Sequence, residues 1–336
     1  MTSFERVRGQ QSAKAFLEQA LAQGRLAHTL LFDGPDGVGK ELLALELARR
    51  LLCVRGSACG ECPACKQVAA RVHPDLHVVR KQAERRGILL EQVHEVQQAI
   101  ALRPLEANVQ VAIIADAHDL SFEAQDALLK TLEEPPPSAF LILVTHRPQA
   151  LRSTVRSRCQ RLRFERLGRD ELEQVAALVG LPVRGDFPWQ LACGQMTRLR
   201  RFLDDDLLKI RALLLTVLDA SALHAPVTLA ARWAAWAASG QDAAASTRAR
   251  ERERARESLL LLLELARDAC LLPLGVMSRL RHMDLAVQLS NASTLADPER
   301  LDDLCELVFE ALNSLARNVD TALVLEYLTL SWGGPR

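Results

Sequence analysis

The stretch GPDGVGKELL, residues 34–43, lies between the apolar run HTLLF and the apolar-periodic run LLALELARRLL. It narrows the fold more than any other part of the chain. Gly34, Gly39 and Lys40 fit the first seven places of the phosphate-loop pattern G-x-x-x-x-G-K-[ST]. Glycines here, Gly37 among them, let the backbone turn so that successive N–H groups face one concavity, and the following helix adds its positive end. Lys40 would reach the outer phosphates of a bound nucleotide. The eighth place, where a hydroxyl would hold Mg²⁺, is Glu41. A carboxylate there lies close to where phosphate charge would sit. A plain Gly-rich turn would explain the glycines alone but not the strand-like and helical flanks. The motif reads as a phosphate loop by descent, with nucleotide binding open to question and hydrolysis disfavoured.

A strand feeding a helix through such a loop belongs to an α/β sheet, and the next hundred residues agree. HTLLF (28–32), DLHVV (75–79), VQVAIIAD (109–116), FLILVTH (140–146) and QRLRF (160–164) read as strands. ELLALELARRLL, LEQVHEVQQAIAL and EAQDALLKTLEE carry apolar residues at three-to-four spacing and read as helices between them. Pro135, Pro136 and Pro137 end the last of these sharply. Buried strands alternating with helices predict a mostly parallel sheet covered on both faces. After Phe164 the strand signals stop. RDELEQVAALVG and WQLACGQMTRLRRFLDD predict a small helical unit to about residue 205, and the remainder reads as helices. Within it SGQDAAASTRARERER (239–254) is the least globular part, a loop or a solvated helix start that holds no ligand. The fold class expected is thus α/β plus all-α.

Composition bounds the functions. The 336 residues suit two or three domains, and a formal net charge of zero means no global field draws the chain to nucleic acid or membrane. The N-terminus has no signal-peptide core, and runs such as SLLLLLELA are too short to span a bilayer, so a cytoplasmic protein is expected. One tyrosine makes an aromatic platform for single strands improbable. Four of the eight cysteines, Cys53, Cys59, Cys62 and Cys65, crowd into CVRGSACGECPAC. Their C-x5-C-x2-C-x2-C spacing, with turns at Gly56, Gly60 and Pro63, suits a closed tetrahedral Zn²⁺ site, structural because no position stays open. His73 and His77 are weaker ligand candidates, and reduced free thiols are the plainer alternative.

A hydrolysing site also needs a strand ending in an Asp for Mg²⁺, followed by a Glu that activates water. VAIIADAHDL (111–120) offers Asp116, yet Ala117 follows it and Ala115 precedes it, so under either alignment one acid is missing. A strand-end turn would explain Asp116 as well. Further on, HRPQALRSTVRSRCQRLRF carries arginines at 147, 152, 156, 158, 161 and 163 without an acid before Glu165. Such a run fits an arginine finger, a DNA-facing patch or a solvated edge equally.

FERVRGQ, GRLAHTLLFDGPDGVGKELLALELARRLLC, the cysteine cluster, ALLKTLEEPP and SRC together resemble the clamp-loader branch of the AAA+ ATPases, from about residue 4 to 165. Motor subunits of that branch (gamma/tau) keep a complete loop and an Asp-Glu pair. A companion subunit has a degenerate site and keeps the SRC motif, and this sequence is similar to the companion. The resemblance implies an AAA+ domain over 1–165 with its zinc module at 53–65, a small helical lid over 166–205 and a helical collar over 206–336. It implies that Arg158 is a finger acting in trans on a neighbour's ATP, and that Thr145 stands where a polar residue senses the γ-phosphate. In the lid, GQMTR puts Thr197 where motor subunits carry a sensing Arg, with Arg198 one step away. The implied partners are gamma/tau and delta subunits in a hetero-pentamer and, through it, the sliding clamp and primer-template DNA, with no membrane. The chain would then belong to a replicative DNA-directed DNA polymerase assembly, a nucleotidyltransferase, with no ATPase turnover of its own. Two rivals remain: an active gamma/tau-like ATPase motor, and a zinc-bearing scaffold with no part in hydrolysis.

Overall fold

The computed structural model describes residues 4–82, 87–181, 183, 189–204, 207–218, 225–239, 247–290 and 298–333. The chain divides into two compact units, Met1–Val179 with Gly194–Met196, and Gly180–Cys193 with Thr197–Arg336.

The first unit runs α1 (Gln11–Ala22), β1 (Thr29–Asp33), α2 (Lys40–Leu52), α3 (Pro63–Ala70), β2 (Leu76–Val79), α4 (Leu90–Ala101), β3 (Gln110–Ile114), α5 (Phe122–Glu133), β4 (Ala139–Thr145), α6 (Ser153–Arg156), β5 (Gln160–Arg163) and α7 (Arg169–Leu178). All five expected strands form, and they pair in parallel in the order β2-β3-β4-β1-β5. Every residue of β1 and β3 is buried, as the unbroken apolar runs demand of strands covered on both faces. The period of two divides them between two cores. Leu30, Phe32, Val111, Ile113, Ile142 and Val144 join Leu43 and Leu47 of α2 on one face. Leu31, Ala112, Ile114, Leu141 and Leu143 meet Val93 and Val96 of α4 and Leu128 of α5 on the other. Each such aliphatic side chain stabilises by about 1.5–3 kcal/mol when fully buried. The Ser121 hydroxyl caps α5 by accepting from Ala124 N, and the helix ends at Glu133 before the prolines. Asp75 accepts backbone N–H groups from Leu105, Glu106 and Ala107 at 2.7–2.9 Å, fixing the loop that enters β3.

Strand order decides where a ligand can sit. β1 lies between β4 and β5, whereas the chain leaves β1 for β2 at the far edge, so a crevice opens at the carboxyl ends of β1, β3 and β4. The loop of residues 34–39 lies there.

The second unit is helical: α8 (Met196–Asp204, from Thr197 in this unit), α9 (Leu207–Leu218), α10 (Pro226–Ala238), α11 (Thr247–Leu271), α12 (Ala286–Ser290), α13 (Pro298–Ala316) and α14 (Thr321–Gly333). No strand follows β5 among the described residues. Two tryptophans tie the bundle: Trp233 donates to Ser258 Oγ at 2.7 Å, and Trp332 to the Val217 carbonyl at 2.8 Å. Of the Arg/Glu-rich stretch 239–254, residues 240–246 lie outside the described residues, and Thr247 onward is the start of α11. The expected solvated face fails at Arg254. Its guanidinium is buried 4.2 Å over the Trp236 ring and donates to the Trp236 carbonyl at 3.1 Å. Among the described residues no helix is long and apolar enough to cross a membrane.

Candidate nucleotide-binding site and metal centre

The loop glycines adopt backbone that side chains disfavour: φ is 150° at Gly34, 66° at Gly37 and 94° at Gly39. At Gly34 a Cβ would come 2.4 Å from the Phe164 carbonyl oxygen, so the strand-to-loop turn admits only glycine. Gln10, from the FERVRGQ segment, brackets the neighbouring chain. Its amide donates to the carbonyls of Glu165 (2.8 Å) and Val38 (3.3 Å) and accepts from Glu165 N (2.9 Å). Met196 N donates to the Gly37 carbonyl at 2.9 Å, which fastens the loop from the side. The Lys40 ammonium is buried and folds back on the loop, donating to the carbonyls of Gly34 (2.9 Å) and Pro35. Burial lowers its pKa to about 8 against the opposing pull of Asp36, Asp116 and Asp33. Glu41 does not face its surroundings as a lone anion. Its carboxylate accepts from Arg71, just past α3, at 2.9 Å and from Arg80, just past β2. The substitution that breaks the phosphate-loop pattern is therefore built into a three-residue ion cluster.

At the neighbouring strand ends, Asp116 is exposed with φ 54°, between buried Ala115 and Ala117. No second acid stands beside it at those two positions. Thr145, the last residue of β4, is buried, accepts from Arg147 N at 3.0 Å and lies 3.3 Å from His118 Nδ1. The His118 and His146 rings meet edge to face with centroids 4.0 Å apart. Burial drives the His118 pKa down to about 4, helped by His146 and Arg147, and lowers that of His146. Sequence reasoning missed these two histidines. Their only signal was a His at the end of each of two strands bound for the same crevice.

Arg158 follows α6 and sits at the surface, its side chain 34% exposed. Its Nε donates to Glu133 Oε1 at 2.6 Å and one terminal nitrogen to the Thr154 carbonyl at 2.9 Å, while Thr29 Oγ1 fixes its carbonyl at 2.7 Å. The density of arginine around it is offset by acids from elsewhere in the unit. Arg147 pairs with Asp119, Arg152 with Asp126 and Arg161 with the buried Asp33. In the second unit, Arg198 pairs with Glu264 and donates to the Leu191 carbonyl.

The four clustered cysteines converge, with ligand atoms all within 4.8 Å of one another. Sγ–Sγ separations are 3.8 Å for Cys53–Cys59 and 3.9 Å for Cys53–Cys62 and Cys59–Cys65. Zinc bound by four thiolates at about 2.3 Å gives a tetrahedral edge of about 3.8 Å, so the donor set fits the ion. Positive φ at Gly56, Ala58 and Gly60 supplies the turns, and Pro63 opens α3 with Cys62 as its N-cap. The two histidines are engaged elsewhere: His73 Nδ1 accepts from Asp75 N at 3.1 Å, and His77 pairs with Gln110 at 3.0 Å. The cluster is compatible with structural zinc.

A parallel five-stranded sheet with a phosphate-type loop after β1 and a Cys₄ module after the next helix defines an α/β domain of the phosphate-loop kind. Residues 9–168 match the family model described as "DNA polymerase III, delta subunit". Among curated proteins, the DNA polymerase III subunit delta' of Bacillus subtilis is 37% identical over 153 residues, 45% of this chain and 46% of that protein. The delta' subunit of Pseudomonas aeruginosa is 36% identical over 149 residues, 44% and 45% of the two chains. The tau subunit of Bacillus subtilis is 35% identical over 167 residues, 49% of this chain and 29% of that protein. The chain thus spans about half the length, or less, of these relatives. Over residues 9–168 the resemblance to the clamp-loader branch is borne out, and the delta-prime subunit is the branch member it points to.

Proposed function

We propose that this chain is the delta-prime-type subunit of a DNA polymerase III clamp loader: an AAA+ subunit that does not hydrolyse ATP itself but supplies Arg158 in trans to a neighbouring gamma/tau subunit. The observation that carries the reading is an asymmetry. The chain's own loop has Glu41 bound to Arg71 and Arg80 where a Mg²⁺-holding hydroxyl belongs, whereas Arg158 stands at the surface on an anchored backbone. An arginine entering a neighbour's γ-phosphate site must leave a weak partner to do so, and an exposed pair with Glu133 costs only about 0.2–1 kcal/mol to break. Lys40 and the loop glycines keep the form of a phosphate cradle, so nucleotide can bind without turnover. Thr145 and Asp116 border that cradle.

In this reading the subunits, including delta, form a hetero-pentamer through the helical collar, residues 206–336, with 166–205 as the lid. ATP between subunits fixes their relative orientation and hydrolysis releases it, so that the sliding clamp is opened and placed on primer-template DNA in the cytoplasm. Zinc bound by Cys53, Cys59, Cys62 and Cys65 is structural: the thiolates would hold the loop between α2 and α3 closed, and the ion supplies cross-linking only. The test is steady-state ATP hydrolysis by the purified chain and by the chain mixed with gamma/tau and delta subunits. Silence alone and turnover in the mixture support the proposal. Turnover by the chain alone, abolished by Lys40→Ala, would instead establish the rival reading, an active gamma/tau-like motor.

A further inference from the structure

The cysteine cluster is not the one place where metal-ligating groups converge. Asp116, His118 and His146 bring a carboxylate oxygen and one nitrogen of each imidazole within 4.8 Å of one another. They come from two neighbouring strand ends, Asp116 and His118 after β3 and His146 after β4, and the parallel pairing of β3 with β4 sets their spacing. The arrangement is held from behind. His118 is buried, and its Nδ1 lies 3.3 Å from the Thr145 hydroxyl, which orients the ring as outer partners of ligating histidines do. Asp116 is exposed and His146 partly so, which leaves a path from solvent and room for further ligands.

The charges around the three groups are mixed. Arg147 and Lys81 are both drawn to Asp119, at 3.2 and 3.6 Å, and the Lys40 ammonium is spent on loop carbonyls. Asp36 adds negative charge beside His146. The Lys40 ammonium keeps its positive charge, since carbonyls are neutral, and Asp36, Asp116 and Asp33 are the acids set against it.

We propose that Asp116, His118 and His146 form a second metal site of this chain, taking one divalent first-row transition ion of the zinc and cobalt class. Two imidazoles and one carboxylate are the donor set such ions prefer, whereas Mg²⁺ takes oxygen ligands and keeps its waters. With three protein ligands the site is open, unlike the closed Cys₄ shell, and its open side borders the phosphate loop. The site is independent of the clamp-loader reading and requires no partner subunit.

The experiment is equilibrium dialysis of the full chain, with its cysteine site already filled, against Zn²⁺, with bound metal counted by mass spectrometry. Wild type should end with two bound equivalents in total, the cysteine-held one included. His146→Ala and Asp116→Asn should each weaken the second by at least about tenfold while keeping the first and the thermal midpoint. A large excess of Mg²⁺ should leave the second equivalent in place. In parallel, Zn²⁺ added to wild type labelled with ¹⁵N-histidine should shift the ring-nitrogen signals of His118 and His146 and of no other histidine, a readout that needs no variant to fold. A total of one bound equivalent, a second equivalent indifferent to both substitutions, displacement by Mg²⁺, or unshifted His118 and His146 signals would each overturn the proposal.

Discussion

Replacing Gly34 by alanine tests the phosphate-loop geometry through two separable costs. At φ 150° a Cβ is strained wherever it points, which costs about 1–3 kcal/mol. The same Cβ would stand 2.4 Å from the Phe164 carbonyl oxygen and 2.8 Å from Phe164 Cβ, so β5 must shift. That movement is resisted by the 2.7 Å hydrogen bond from Phe164 N to the Asp33 carbonyl and by the Phe32 ring, 5.2 Å away between centroids. Overpacking of this kind costs about 1–3 kcal/mol more, giving roughly 2–6 kcal/mol together. Gly24 is the control: its φ is 62° but a Cβ there meets nothing within 4 Å, so Gly24→Ala carries the backbone cost alone, about 1–2 kcal/mol. The assay is thermal unfolding followed by far-ultraviolet circular dichroism. All four tryptophans, at 189, 233, 236 and 332, lie in the second unit, so their fluorescence is an internal reference. At about 2–4 °C per kcal/mol, Gly34→Ala should melt the first unit roughly 4–24 °C early and Gly24→Ala only about 2–8 °C early. Equal shifts in the two variants would refute the argument from the close approach to Phe164.

Zinc should stabilise the first unit. At free zinc a thousandfold above its dissociation constant the gain is about 4 kcal/mol, so chelation or Cys62→Ser should lower its melting midpoint, and coincident melting of apo and holo protein would count against a structural ion. Glu264 should make the second unit sensitive to acid. Burial opposes its ionisation, yet the His282 ring, Arg198 and Arg281 together hold its pKa down to about 2 from 4.5. Its stabilisation is therefore complete above about pH 4.5 and lost as pH falls toward 2. Glu264→Gln should remove that part of the pH dependence and cost roughly 3–5 kcal/mol near neutrality, measured by urea unfolding across the range.

The sequence exposes the architecture of the first unit because its signals are local. HTLLF, VQVAIIAD and FLILVTH are buried strands by composition, and the structure forms all three, trimming the second to Gln110–Ile114 and shifting the others by one residue to Thr29–Asp33 and Ala139–Thr145. The cysteine spacing is equally local: thirteen consecutive residues fold back on themselves, and the Sγ atoms meet at tetrahedral distances. Glu41 shows where local reading stops. As the eighth loop residue it looks like a bare anion, but its partners Arg71 and Arg80 lie 30 and 39 positions away and reach it only through the zinc module and β2. The same holds for His118 and His146, 28 positions apart until β3 and β4 pair. Arg254 fails differently. An alternation of Arg and Glu describes an exposed helix face, and only the packing of α10 beside α11 reveals that one of those arginines covers Trp236.

The most direct measurement on the central claim is ATP hydrolysis by the clamp-loader complex rebuilt with wild-type chain or with Arg158→Ala, assembly being confirmed by size-exclusion chromatography. Arg158 pairs only at the surface, so the variant chain should fold and assemble. The account predicts that hydrolysis at the interface Arg158 serves falls on the order of 10³-fold, as for trans-acting fingers of GTPases, and that the complex loses that site's share of turnover. Full turnover by an assembled Arg158→Ala complex would contradict it.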